Sequence, residues 1–392
     1  MAITQQDIIY FIVTDRFYAK GKSVSVAGLD RNDPQAYHGG NFNGIIEKIP
    51  YLKNLGITTL WITPVYLQIE KRVRNRWPYH GYWTLDFNKM DPHLYTGKKH
   101  EPGSKKYLKE LTDVLHENGI KLMFDVVVNH AGYNHPGQTD AQNNPTPIRS
   151  DWFNPRGLKC EEDVIKGELE GLPDFNLDRI DVIDYHIQSL ISWIKECGID
   201  GIRMDTAKHV EKSFWNYFKT QIHGNFPEVT LVGEVYTYYI EELTNYQKYW
   251  GFDSLFDFPA QGAIYKCFIE GSGMTELESP FNCGTGLLEK DTRYSNHNRL
   301  ISMVDNHDMP RRFMSTILDT YNRDYEKAVL TANLSLTFLF TARGIPQIYY
   351  GTEIGMEGYF DPDNRKDFPW HKIDKNNEVK NEYFMRKRFS VI

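Results

Sequence analysis

Four apolar runs in this chain finish on residues that can do chemistry. GIRMD (201–205) supplies Arg203 and Asp205, and VGE (232–234) supplies Glu234. MVDNHD (303–308) supplies His307 and Asp308, and DVVVNH (125–130) supplies Asp125, Asn129 and His130. Arg203 and Asp205 are two apart, so on an extended strand both project to one side. Carboxylates on neighbouring strand ends, with Arg and His among them, suit cleavage of a glycosidic bond. That reaction needs an acid of raised pKa to protonate the leaving oxygen, and an ionised carboxylate to meet an oxocarbenium-like centre. A cation beside a carboxylate favours its charged form, which suits Asp205 to the second role; an apolar run before a carboxyl group desolvates it, which suits Glu234, behind TLVG, to the first. The competing reading is a set of buried structural ion pairs, which occur widely.

The elements that must carry these residues follow a repeated theme of short β-rich apolar run and amphipathic helix. Strands are expected at Ile8–Val13, Ile57–Thr63, Ile120–Val128, Ile199–Met204, Thr230–Glu234, Phe252–Phe258, Leu300–Val304 and Ile345–Tyr350. Between them, Ile45, Ile46, Ile49, Leu52 and Leu55 keep helical spacing, as do Tyr107, Leu108, Leu111, Val114 and Leu115, and again Ile183, Ile187, Leu190, Ile191 and Ile194. Gly56, Gly119 and Gly198 each stand where a helix should end before a strand. Such alternation predicts an α/β fold, a (β/α)8 TIM barrel, rather than an open doubly wound sheet. Barrel enzymes carry their chemistry at the C-terminal strand ends, where the residues above fall. One connection is too long: 131–180, with NNPTP, FNPRG and EGLPDF, is dense in turn residues. A structureless loop of ~50 residues is improbable in a compact domain. The expected organisation is therefore a catalytic barrel of 1–130 and 181–392 with a small inserted domain at 131–180 after the third strand. A second irregular stretch is expected at Gly271–Asn298, and an eighth helix at Glu378–Phe389.

Composition narrows the classes. The 392 residues carry 45 Lys+Arg against 52 Asp+Glu, a net charge of -7, so no basic stripe offers itself to nucleic acid. No run of ~18 apolar residues is present to span a membrane. The opening MAITQQDIIYFIVTDRF lacks a basic segment followed by an apolar one and a small-residue cleavage site, so a cytoplasmic location is expected, or secretion if the first Met was added to a mature chain. Cys160, Cys197, Cys267 and Cys283 form no CxxC pair and read as small buried hydrophobes. GxGxxG, Walker and HExxH motifs are absent from the sequence.

In sequence order, DVVVNH (125–130), LPDFN (172–176), GIRMDTAKHV (201–210), GEV (233–235) and MVDNHD (303–308) resemble the core regions of the alpha-amylase clan of glycoside hydrolases. TDRF (14–17), YHGYW (79–83), GIPQIYYG (344–351) and DPDNR (361–365) also match that family, so the resemblance runs from about Ile9 to Arg365. It implies a retaining mechanism with Asp205 as nucleophile, Glu234 as general acid/base and Asp308 as the third carboxylate, gripping sugar hydroxyls. By the same resemblance Arg203 positions the nucleophile, and His130 and His307 hydrogen-bond the sugar in the cleaved subsite. Tyr82 is the platform beneath that sugar, with His80 its neighbour in the same loop. Lys208 and His209 lie on the leaving-group side, and Asp361 and Arg365 hold the next sugar in the non-reducing direction.

The resemblance also implies calcium, held by the side chains of Asn129 and Asp174 and the backbone carbonyl of His209, all hard oxygen donors. Glu162, Asp163 and Glu168 are candidates for a further ligand, and nothing in the sequence selects one. A second calcium after TDRF is not expected. There the chain reads YAKGK, with Lys20 and Lys22, and Asn41 replaces the acid of the family's GGD. The family's usual C-terminal β-sandwich is expected to be absent, since the sequence ends in what should be the last barrel helix, so a truncated chain or gene is expected. An N-terminal β domain before the barrel is not expected either, an expectation that counts against the dimeric cyclodextrin-degrading branch, and a monomer is expected. The expected function is endo-acting hydrolysis of α-1,4 bonds in starch- or glycogen-type glucans and maltooligosaccharides. The alternative is an α-glucan transglycosylase or cyclodextrin-acting relative sharing the covalent intermediate. A silent sugar-binding relative would have lost carboxylates that are present here. An aldolase or isomerase barrel would want a Schiff-base Lys or a late phosphate-binding Gly loop.

Overall fold

A computed structural model describes residues 1–133, 146–274, 277 and 291–378. Strands form at all eight expected places. They are β1 (Ile9–Ile12), β2 (Thr59–Ile62), β5 (Lys121–Val126), β6 (Gly201–Met204), β7 (Thr230–Gly233), β8 (Ser254–Leu255), β9 (Ile301–Met303) and β10 (Ile345–Tyr349). Their order in one sheet is β8-β7-β6-β5-β2-β1-β10-β9. A further parallel bridge joins Phe256, just after β8, to Ile301 of β9. This is the α/β alternation of a (β/α)8 TIM barrel. Parallel strands covered on both faces read as unbroken apolar runs, and β1 (IYFI) is buried at every position.

The fold divides into two compact units. The first comprises Met1–Ala2, Thr14–Glu47 and Ile62–Glu234. In it β5, β6 and β7 pair in parallel, with Asp125 opposite Arg203 and Met204 opposite Gly233. Helices Lys106–Glu117, Ile180–Cys197 and Lys212–Asn225 belong to this unit. The stripe Ile183, Ile187, Leu190, Ile191 and Ile194 is buried as its spacing requires. Gly198 ends that helix at φ 69°, in the left-handed conformation, and its N–H returns to the Ile194 carbonyl at 3.0 Å. Only a residue without Cβ adopts this freely. The unit also holds an antiparallel pair the sequence reading passed over, β3 (Tyr66–Gln68) with β4 (Thr84–Met90). Leu67, Ile69, Trp83, Leu85, Tyr133 and Leu172 form a small apolar cluster around it. The described part of 131–180 has little regular structure, a helical turn at Ser150–Trp152 and the bridges Phe153–Phe175 and Lys159–Glu168.

The second unit comprises Ile3–Val13, Lys48–Trp61 and Val235–Ile392. Here β1 pairs with β10 and β10 with β9, placing Ile9 opposite Gln347 and Ile345 opposite Ile301. Phe11 stacks on Trp61 at 3.6 Å between ring centres, and Trp61 meets Phe256 at 5.2 Å. The expected strand Phe252–Phe258 is cut to Ser254–Leu255, because a helix begins at Phe258. Asp257 caps that helix, its carboxylate accepting the Ala260 N–H at 3.0 Å, and Pro259 fits its first turn. The eighth helix expected at Glu378–Phe389 lies, but for Glu378, outside the described residues, as do Cys283 and most of the irregular stretch before β9. Among the described residues no helix is long and apolar enough to cross a membrane, and Cys160, Cys197 and Cys267 are free thiols, the last two buried.

Candidate active site

In the first unit the strand register does the positioning. Asp125 stands opposite Arg203 across the β5–β6 pair, and Asp205 follows one residue beyond β6, as the two-residue spacing anticipates. Arg203 is fully buried and its guanidinium serves three carboxylates. Nη1 reaches Asp125 Oδ1 at 2.9 Å and Asp205 Oδ1 at 2.5 Å, and Nη2 reaches Glu234 Oε1 at 2.7 Å. One planar fork therefore holds Asp205 and Glu234 side by side. Glu234 is buried, and its second oxygen accepts the backbone N–H of Thr206 at 3.1 Å. Thr206 takes the left-handed conformation, φ 47°, to present that N–H. Such a conformation in a residue with Cβ is held only where surroundings enforce it.

Asp125, which the sequence reading noted at a strand end but gave no role, is the hub of this cluster. Its Oδ2 accepts the Tyr82 hydroxyl at 2.9 Å, while Oδ1 takes Arg203. Burial, with the neighbouring Asp205 charge, pushes Asp125 up to about 7 against the pull of Arg203. Tyr82 is half-buried, with the Arg203 guanidinium 5.9 Å from its ring centre, and His80 stacks beside it at 5.8 Å. His80 Nδ1 accepts the Tyr82 N–H at 3.1 Å. His130 is buried, Nε2 lies 3.2 Å from the Tyr82 carbonyl, and burial lowers its pKa, keeping the ring neutral. The first unit thus gathers Tyr82, His80, His130, Arg203, Asp205 and Glu234 in one neighbourhood. Lys208 and His209 follow on the helical turn Ala207–His209. His209 faces the loop, Nδ1 2.9 Å from the Val164 carbonyl, and burial lowers its pKa.

In the second unit Asp308 is about a third exposed. Arg365 Nη2 donates to its Oδ1 at 2.9 Å, Arg365 Nη1 lies 3.8 Å from Asp361, and His307 Nε2 stands 3.5 Å from Asp308 Oδ2. Arg365 Nε also donates to the His307 carbonyl at 2.9 Å. The pair expected to hold a neighbouring sugar is therefore tied directly to Asp308. His307 is buried edge-on against Phe11 at 4.8 Å and Trp61 at 6.3 Å. The Asn306 side chain accepts the N–H groups of Asp308 and Met309, at 2.9 and 3.0 Å, and shapes the turn that presents Asp308.

Of the expected calcium donors, Asn129 and Asp174 come to facing segments within the first unit. His130 bridges Asp174 in antiparallel fashion, and the Phe175 N–H donates to the Asn129 carbonyl at 2.8 Å, so Asn129 and Asp174 are on facing segments. Asn154 donates to Asp174 Oδ2 at 2.8 Å. Asp174 Oδ1, Glu211 Oε1 and Asn129 Nδ2 are buried without a hydrogen-bond partner. Burial, with Glu211, Glu168 and Asp163 nearby, pushes Asp174 up to about 8, and burial pushes Glu211 up to about 7. The two unpaired carboxyl oxygens, on acids whose charged form burial disfavours, fit a hard cation that would offset that charge. No group of three His, Cys, Asp or Glu side chains is placed to grip a metal among the described residues, so such an ion would draw on amide and backbone oxygens. Asn154 and Glu211 escaped the sequence reading because only the fold of the loop brings them to Asp174.

The chain matches a family model described as "Alpha amylase, catalytic domain" over residues 11–389. It is 33% identical to the "Beta/alpha-amylase" of Paenibacillus polymyxa over 96% of this chain and 30% of that protein. It is 30% identical to the "Cyclomaltodextrinase" of Thermoanaerobacter pseudethanolicus over 99% of this chain and 64% of that protein. These two relatives are thus longer, the chain spanning under two thirds of each. Among solved structures, an Anoxybacillus alpha-amylase superposes with a TM-score of 0.79 at 33% identity, covering 96% of this chain and 77% of that one.

Proposed function

Because the chain belongs to the alpha-amylase family, and so is an enzyme of the glycosidase type, we propose that it is an endo-acting, retaining hydrolase of α-1,4 bonds in starch- and glycogen-type glucans and maltooligosaccharides. The observation that carries this reading is the single Arg203 guanidinium touching both Asp205 and Glu234. Double displacement needs its two carboxyl groups adjacent, about 5–5.5 Å apart, and inversion needs them farther apart to admit a water. In this reading Glu234 gives its proton to the glycosidic oxygen as the anomeric carbon–oxygen bond breaks, and an Asp205 oxygen bonds the anomeric carbon. Glu234 then takes a proton from water, whose oxygen displaces Asp205 and restores the α configuration. Asp125 and Arg203 fix the geometry of Asp205, and Tyr82 offers a flat face to a pyranose. Asp308, His307 and Arg365 bind sugar hydroxyls.

The related cyclomaltodextrinase gives a cyclodextrin-acting or transglycosylating reading its support. The two readings differ in whether water or a sugar hydroxyl meets the intermediate. In the same reading Asn129, Asp174 and the His209 carbonyl hold calcium, which supplies positive charge that pins the loop and takes no part in bond cleavage. Residues 131–180 act as the inserted domain that carries Asp174.

The test is a product profile on maltoheptaose and soluble starch, with Asp205→Asn as the blank. Short maltooligosaccharides of α configuration, absent from the blank, are the expected result. Products longer than the substrate, or cyclic ones, would move the reading to a transferase. Turnover by the blank equal to that of the native enzyme would remove Asp205 from the mechanism.

A further inference from the structure

A cavity of about 260 Å³ opens within the first unit, along the segment that follows Phe17. Lys22, Ser23, Ser25 and Arg31 line it, together with the exposed Val26 and Leu29. None of its lining residues belongs to the candidate active site. Backbone pairing holds the walls. The N–H groups of Val24 and Ser25 donate to the Tyr95 and Pro92 carbonyls, each at 3.0 Å, and Leu29 bridges Tyr37. The fold therefore sets the site before any ligand arrives, which lowers the cost of binding.

The side chains of this cavity hold donors to spare. Ser23 Oγ accepts the Asn41 side-chain amide at 3.4 Å, and Ser25 Oγ accepts the Ala27 N–H at 3.3 Å, so each hydroxyl keeps its own hydrogen to give. Arg31 spends Nε on the His38 carbonyl at 2.9 Å and meets no carboxylate among the described residues. Lys22 has no hydrogen-bond or ion-pair partner among them, whereas Lys20 pairs with Glu47 at 2.5 Å. His93, also in the wall, turns both ring nitrogens to oxygens, Asp91 Oδ1 at 2.7 Å and the Ala27 carbonyl at 2.9 Å, and so offers no acceptor. Among the described residues no Asp or Glu lines the cavity.

These donors choose the ligand. A cation would meet Lys22 and Arg31, and an apolar group would strand them. A neutral polyol wants acceptors as well as donors. A tetrahedral oxyanion engages two cations and two hydroxyls at once, through charge-assisted hydrogen bonds. We propose that this cavity binds a phosphate group, either as the free ion or as a phosphate monoester of a sugar. The volume leaves room beyond a bare phosphate, and Val26 and Leu29 offer apolar surface to whatever carries it.

The test is calorimetric titration with sodium phosphate, set against sodium chloride at equal ionic strength. The native protein shows saturable binding that chloride does not reproduce. Lys22→Gln has no contact to lose, so its fold stays intact, and it weakens phosphate binding about tenfold. Arg31→Gln does the same, with thermal unfolding to show that losing the His38 contact leaves the fold in place. Glucose 6-phosphate is titrated alongside. Tighter binding than phosphate, equally sensitive to Lys22→Gln, upholds the site and assigns it to the ester; no gain over phosphate upholds it for the free ion. A native protein that takes up phosphate no better than chloride overturns the site. So does binding undiminished in Lys22→Gln and in folded Arg31→Gln. Either outcome leaves the hydrolase reading where it stands, since that reading rests on other residues.

Discussion

Arg203 is surrounded by more negative charge than one guanidinium balances, and Asp125 absorbs the difference. Raised from 3.8 to about 7 by burial, Asp125 is protonated in the folded chain at pH values where the unfolded chain has already lost that proton. The folded state therefore binds the extra proton between about pH 4 and 7, and stability falls as pH rises through that window. Asp125→Asn carries no such proton. Relative to the native protein, the variant should gain on the order of 1–3 kcal/mol in stability between pH 5 and pH 8, read from paired denaturant titrations. Parallel pH profiles would show that Asp125 stays charged throughout. Part of this cluster was legible in the sequence. The two-residue spacing of Arg203 and Asp205 announced that they share a face, and strand-end placement pointed to Glu234. The hub role of Asp125 was not legible, because it depends on the register of β5 against β6, which no local pattern encodes. The tie of Arg365 to Asp308 was hidden for a related reason, since the two residues meet only through the loop after β10.

At the scale of elements, the barrel strands announced themselves because strands buried on both faces are continuous apolar runs. The hairpin of β3 and β4 was missed although Leu85 and Phe87 alternate properly. Its partner strand spans only Tyr66–Gln68, with register shifts on either side of Leu67, too short and irregular for a periodic signal. The strand before Phe258 was drawn too long because a buried helix start and a buried strand look alike over a few apolar residues. Glycine caps were the clearest punctuation. At Gly198 a Cβ would meet only His116 and Thr112 at 3.8 Å, so crowding is not the constraint. Gly198→Ala should cost about 1 kcal/mol through the left-handed backbone alone, seen as a lower denaturant midpoint with an unchanged slope. A cost several times larger would mean that the helix Ile180–Cys197 shifts against its neighbours.

For the molecule as a whole, the proposed calcium ties the loop bearing Asp174 to the end of β5. Calcium at about a hundred times its dissociation constant should raise stability by about 2.7 kcal/mol, and a chelator should reverse the gain. Asp174→Asn should melt at the same temperature with and without the ion, and a calcium response that survives this substitution would place the ion elsewhere. The pairing of β1 with β10 carries a consequence of another kind, for the order of events during synthesis. Ile9 waits for Gln347 and Tyr10 for Ile348. At about 5–20 residues per second the ribosome leaves IIYFIV (8–13) without its closing partner for tens of seconds. An apolar, β-prone hexapeptide with β2 on one edge and the other edge open for that long is a seed for aggregation. Soluble yield in a cell should therefore follow holdase supply and elongation speed more closely than it follows the stability of the finished fold.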